Sequence, residues 1–176
     1  MNLAIAAPEI EAPDRGYVYE INSQLSPYTS PVPKRILVVD DDALVRSALS
    51  AVLNCEGYEV RGAGDGHAAI KSALEHQPDL VLLDLNMPHM DGWSAFLELD
   101  HIRPLISIIV ITARPHQYEQ AVKLGVDAFM EKPLDFPVLL RAIHQLTSEP
   151  EERHVKRITN PGFVTRRLDH QLPPHP

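Results

Sequence analysis

Apolar residues along this chain alternate between short unbroken runs and helically spaced sets. Arg35-Ile36-Leu37-Val38-Val39 is a continuous run of the kind shown by a strand buried on both faces, and it stops on Asp40-Asp41-Asp42. Leu44, Val45, Ala48, Leu49, Val52 and Leu53 follow at helical spacing, and Gly57 supplies a left-handed stop. Together they predict one βα unit.

The alternation repeats. Tyr58-Glu59-Val60 is a short strand candidate, and Asp65 is placed to cap a helix carrying Ala69, Ile70, Ala73 and Leu74 on one face. Pro78 breaks the chain before a third run that ends on Asp84. A helix after Gly92 runs through Trp93, Phe96 and Leu97 to about His101, before Pro104. Leu105 to Ile111 reads as a fourth strand with Thr112 at its carboxyl end. Pro115 suits the first turn of a fourth helix that reaches Leu124, with Gly125 as its cap. Asp127 to Met130 reads as a fifth strand, followed by Lys132-Pro133 and a last helix through Val138, Leu139, Ala142, Ile143 and Leu146. Five such units in series predict a flavodoxin-like, doubly wound α/β fold. Its five-stranded parallel sheet has order 2-1-3-4-5 and helices on both faces.

This pattern occupies residues 34–147. Residues 1–33 hold five prolines (Pro8, Pro13, Pro27, Pro31 and Pro33) and one apolar knot, Tyr17, Val18, Tyr19 and Ile21, so they are expected to form a mobile extension. Residues 148–176 carry five basic and four acidic side chains, a net of +1, and end in Pro173-Pro174-His175-Pro176. That segment is expected to be a mobile tail, too short for a helix-turn-helix output domain, so specific DNA binding is not expected.

Composition narrows the classes. The chain has 176 residues, 44% of them hydrophobic, which suits one ordinary globular domain with extensions. A formal charge of -8 argues against a general nucleic-acid binder, because nothing overall would neutralise phosphates. Cys55 is the single cysteine, so no internal disulfide can form, and it reads as a small buried residue near a helix end. No Lys or Arg precedes Arg15, and no apolar run approaches the roughly 20 residues needed to span a bilayer. A cytoplasmic protein without membrane insertion is the expectation.

The chemistry lies where the strands stop. In the order 2-1-3-4-5, strands 1 and 3 flank the switch point, so Asp40, Asp41 and Asp84 converge at one edge of the sheet. Thr112 and Lys132 arrive from strands 4 and 5. Three carboxylates this close repel unless a cation or proton offsets them, and Mg²⁺, a hard ion with oxygen ligands, fits that set. A hydroxyl and an ammonium beside such an ion make a site suited to phosphoryl groups, with Asp84 as a nucleophile that forms an aspartyl phosphate. Asp42 and Asp65 read as helix caps, and Asp91-Gly92 as loop and turn chemistry. Gly62-Ala63-Gly64-Asp65-Gly66-His67 fails as a dinucleotide loop, since His67 stands where a glycine is required and the strand before it is the second. The nine histidines are scattered and do not suggest a zinc site.

Asp40-Asp41, Leu83-Asp84-Leu85-Asn86-Met87-Pro88, Met90-Asp91-Gly92, Thr112-Ala113 and Lys132-Pro133, in that order and spacing, resemble the receiver domain of two-component response regulators. The resemblance covers about residues 34–147 and implies that Asp84 accepts a phosphoryl group from a sensor histidine kinase or a histidine phosphotransfer protein. It implies that Asp41 and Asp84 ligate Mg²⁺ directly, Asn86 through its backbone carbonyl, and Asp40 mainly through water. Thr112 would hydrogen-bond a phosphoryl oxygen, Lys132 would pair with the group, and the Lys132-Pro133 bond is expected to be cis. Phe129 falls at the switch aromatic, which turns inward as the threonine moves, although plain core is its alternative reading. The interval from Thr112 to Lys132 is a residue or two shorter than the family's usual one, which predicts a shortened or shifted fourth helix.

The expected function is a stand-alone receiver that switches partner binding on phosphorylation and catalyses only its own phosphoryl transfer and loss. Two rivals stay open at this level. An Mg²⁺-dependent aspartyl phosphatase usually carries a second Asp two places after the nucleophile, where this chain has Asn86. A phosphorylation-independent interaction module would keep the site only as a relic.

Overall fold

Strand β1 (Arg35–Val39) is paired in parallel with β2 (Glu59–Ala63) on one side and β3 (Leu80–Asp84) on the other. A computed structural model describes residues 32–88, 90–160 and 162–168. The elements follow as α1 (Ala43–Cys55), α2 (Gly66–His76), α3 (Gly92–Ile102), β4 (Ser107–Thr112), α4 (Tyr118–Leu124), β5 (Ala128–Glu131), α5 (Phe136–Ser148), α6 (Glu151–Ile158) and β6 (Arg166–Arg167). The sheet order is β2-β1-β3-β4-β5-β6, all parallel. The expected doubly wound sheet is present with the expected order, and a sixth strand extends it. Residues 1–31, with the expected N-terminal extension, lie outside the described residues.

Both faces of the central strands are buried because successive side chains point to opposite sides. On one side Leu37, Val39, Val81, Leu83 and Val110 pack with Ala69 and Ala73 of α2, Phe96 and Leu99 of α3 and Ala121 of α4. On the other Ile36, Val38, Leu80, Leu82, Ile109 and Ile111 pack with Leu49 and Leu53 of α1 and Leu139, Ala142 and Ile143 of α5. Each fully buried Leu or Ile is worth about 1.5–3 kcal/mol, so these two layers dominate the stability of the sheet.

Local polar groups set where the helices start. Asp42 Oδ1 accepts from the Leu44 amide at 2.8 Å, and Asp65 Oδ1 accepts from the Ala68 amide at 2.8 Å, so both act as the caps their positions predicted. Asp135 does the same for α5, accepting from Val138 at 3.0 Å. Gly125 ends α4 in the left-handed conformation, with φ 73°.

Three expectations need correction. Pro115 does not begin the fourth helix: His116 adopts φ 59°, which breaks a right-handed helical path, and α4 starts at Tyr118 and runs for only 7 residues. Cys55 is exposed, because the last residue of α1 turns away from both packed layers. The C-terminal segment is not a tail over its described part. The outer edge of β5 offers unpaired backbone groups, and β6 satisfies them: the Arg166 amide donates to Asp127 O at 3.1 Å and the Leu168 amide to Phe129 O at 2.8 Å.

The turn from β3 into α3 depends on Gly92. A Cβ there would lie 2.4 Å from Leu85 Cα and 2.8 Å from Asp84 O, both backbone atoms that cannot give way alone. We predict that Gly92→Ala lowers stability by about 1–3 kcal/mol, read as a reduced urea midpoint at unchanged m. An unaltered midpoint would mean that α3 shifts freely against this turn.

Candidate functional site

Register brings the acidic residues together. Val39 pairs with Leu83, so Asp40, the next residue after β1, stands level with Asp84 at the carboxyl end of β3. Asp40, Asp41 and Asp84 each present a carboxylate oxygen within 4.8 Å of the others; Asp40 and Asp84 are buried and Asp41 is exposed. Thr112 ends β4 opposite Glu131, and the Lys132 amide donates to Thr112 O at 2.8 Å, which draws β5 and its lysine toward the same edge. The Lys132-Pro133 bond is cis, as expected.

Lys132 occupies the middle of this set. Its Nζ donates to Asp84 Oδ2 at 2.7 Å and to Asp40 Oδ2 at 3.0 Å. The other oxygen of each carboxylate accepts a backbone amide two residues on, Asp40 Oδ1 from Asp42 at 2.9 Å and Asp84 Oδ1 from Asn86 at 3.0 Å. Both acids are therefore held from two sides, while Asp41 faces solvent. Three carboxylates against one ammonium leave two negative charges uncompensated, a set of hard oxygen donors that suits a divalent cation such as Mg²⁺. Asn86 Oδ1 is a further buried oxygen at this edge, without a hydrogen-bond partner among the described residues.

Burial pushes the Asp40 carboxyl above its ordinary value of 3.8; Asp84 adds to the rise, and the contacts with Lys132 and the Asp42 amide offset it only in part. Burial alone would pull Lys132 down, but its bonds to Asp84 and Asp40 outweigh that pull and hold the ammonium above 10.5.

The hydroxyl of Thr112, itself fully buried, accepts from the Arg114 amide at 2.9 Å. Phe129 is buried with its ring edge against Tyr118, the centroids 5.7 Å apart. Three features were not anticipated. Arg46 Nη1 donates to Asp40 O at 2.6 Å, which holds the β1–α1 turn; its place on α1 gives no signal in sequence. Arg114 pairs with Asp91 at 3.2 Å across the mouth of the site, a contact between residues 23 apart in sequence. Tyr118 links Phe129 to the C-terminal segment, since its hydroxyl donates to Thr165 O at 2.8 Å.

Residues 36–144 match the profile of the response regulator receiver domain. The transcriptional regulatory protein PdtaR of Mycobacterium tuberculosis is 40% identical over 124 residues, which are 69% of this chain and 60% of that protein. This chain therefore spans about three fifths of that relative. A CheY-like receiver domain protein of Methanospirillum hungatei superposes with a TM-score of 0.65 at 28% identity, over 69% of this chain and 98% of that one. The response regulator TrrA of Thermotoga maritima, solved in complex with Mg²⁺-BeF, gives a TM-score of 0.60 at 34% identity, over 64% of this chain and 98% of its own.

Because the folded protein holds the Asp40 proton more tightly than the unfolded chain does, this carboxylate costs stability at every pH above its folded value. The cost fades as pH falls toward 3.8. Asp40→Asn is therefore expected to raise Tm at neutral pH, with the gain shrinking in scans taken down to about pH 4. A gain that is independent of pH would contradict this origin.

Proposed function

The chain belongs to the response regulator receiver domain family, and from that premise we propose that it is a phosphorylation-driven binding switch with Asp84 as the phosphoryl acceptor. The observation that carries this reading is the bridge from Lys132 to Asp84 and Asp40 inside an acidic trio at the carboxyl edge of the sheet. The donor is a phosphohistidine of a sensor histidine kinase or of a histidine phosphotransfer protein. Residues 34–147 carry the switch, and residues 148–176 are appended to it.

In the transfer, a carboxylate oxygen of Asp84 attacks phosphorus and the P–N bond to the donor imidazole breaks. The nitrogen leaves with the bonding pair, and Asp84 becomes an acyl phosphate. Lys132, already within hydrogen-bond distance of Asp84, offsets charge on the transferred oxygens. The hydroxyl of Thr112, which accepts from the Arg114 amide, donates its own proton to a phosphoryl oxygen. Asp40, Asp41, Asp84 and the backbone carbonyl of Asn86 are the groups that would hold Mg²⁺, whose contribution when bound is to neutralise charge shared by phosphoryl oxygens and carboxylates. Loss of the group is hydrolysis: water attacks phosphorus, the bond to Asp84 breaks, and inorganic phosphate leaves. The protein thus catalyses only its own modification and reversal. Its output is a protein contact. Among the described residues no helix is long and apolar enough to cross a membrane, and we place the protein in the cytoplasm.

Incubation with acetyl phosphate and Mg²⁺ is expected to add one phosphoryl group to the wild type, by intact mass, and none to Asp84→Asn. Equal modification of that variant would remove Asp84 as the acceptor. Asp41→Ala is expected to weaken Mg²⁺ binding about tenfold or more by calorimetric titration, without loss of the folded state.

A further inference from the structure

Residues 163–168 run along the outer edge of β5 as a strap, held by two hydrogen bonds to α4 and by two to residues 127 and 129 at the start of β5. From α4, the Tyr118 hydroxyl donates to Thr165 O at 2.8 Å, and Thr165 Oγ1 donates to Ala121 O at 3.2 Å. From the residue before β5 and from β5 itself, Asp127 O and Phe129 O accept the Arg166 and Leu168 amides. Thr165 and Leu168 are buried, the latter in the layer that contains Met130 and Leu139. The Arg167 guanidinium lies 5.3 Å from the centre of the Tyr118 ring and 3.6 Å from Glu131.

Two anchors of the strap, Tyr118 and the socket of Leu168, also lie on the path from the acidic site. Tyr118, whose hydroxyl latches Thr165, is the first residue of α4 and packs on Phe129. Five residues separate it from Thr112, and the first of the turns between them is closed by the bond from the Arg114 amide to the Thr112 hydroxyl. Leu168 lines a cleft of about 330 Å³ that it shares with Lys132, Pro133 and Leu134. A group on Asp84 that takes hydrogen bonds from the Thr112 hydroxyl and Lys132 pulls on the turn that the Arg114 amide closes and on the lysine beside the Leu168 cleft, which disturbs both anchors at once.

We infer that the strap and the acidic site are coupled: in the unmodified protein residues 163–168 cover the α4–β5 edge, and a phosphoryl group on Asp84 releases them. This inference rests on the reading of Asp84 as the acceptor. Coupling of this kind is reciprocal, so whatever factor the phosphoryl group contributes to opening the strap, loosening the strap contributes to binding at the site. The edge uncovered by release is a row of β5 backbone groups flanked by the sockets of Thr165 and Leu168, and a partner that uses this edge competes with the strap.

The test uses the full chain with Mg²⁺, with and without beryllofluoride as the phosphoryl mimic. Bound mimic is followed by fluorine NMR, and strap opening by amide exchange at Arg166 and Leu168. Bound beryllofluoride is expected to speed exchange at both amides at least tenfold. Tyr118→Phe keeps the ring on Phe129 and loses the latch to Thr165, so it should speed the same amides without the mimic and bind beryllofluoride several-fold more tightly. Bound mimic with unchanged or slower exchange would overturn the coupling, as would a Tyr118→Phe protein that binds no more tightly. Absence of any bound fluorine signal in the wild type would instead sink the acceptor reading, and the coupling with it.

Discussion

Lys132 lies between two buried carboxylates that repel one another, and its two hydrogen bonds are what make their proximity tolerable. Everything else about this edge of the sheet serves that arrangement. The parallel register sets Asp40 level with Asp84, the Thr112 carbonyl receives the Lys132 amide, and Arg46 fixes the turn that bears Asp40. The balance is deliberately incomplete in charge, since one ammonium cannot match three carboxylates, and burial already raises Asp40. A site left in deficit attracts a cation and changes its contacts when a new anion arrives, which is the behaviour of a switch and not of a structural ion pair.

Most of this was legible because the signals were local. Unbroken apolar runs with period-two side chains marked β1, β3 and β4, and a carboxylate or hydroxyl at the end of each run marked the edge at which they converge. Asp42 and Asp65 announced their helices through their own side chains. What escaped depends on partners distant in sequence. β6 is two arginines, with no apolar alternation to betray a strand, and it exists because β5 has an open edge. The burial of Thr165 and Leu168 likewise rests on α4 and α5, more than twenty residues away. Cys55 was misread by a habit of its residue type, and Pro115 by a preference that the left-handed His116 overrode.

The helices divide by how their first turns are held. Asp42, Asp65 and Asp135 cap α1, α2 and α5 from within, each through a side-chain oxygen on the helix's own amide. The starts of α3 and α4 have no such bond from Asp91 or Gln117. These two residues are instead engaged across the gap between the helices, Asp91 by Arg114 and Gln117 by the Trp93 indole at 2.9 Å. Helix starts that are tied to each other move together more readily than starts tied to themselves, because the cross-link survives a shared displacement that would break a cap. A seven-residue helix has few internal bonds to oppose such a shift. The α3–α4 side of the mouth is thus anchored by cross-links and the α1–α5 side by caps, which on the reading of Asp84 as the acceptor makes the first side the route by which a change at Thr112 reaches Tyr118.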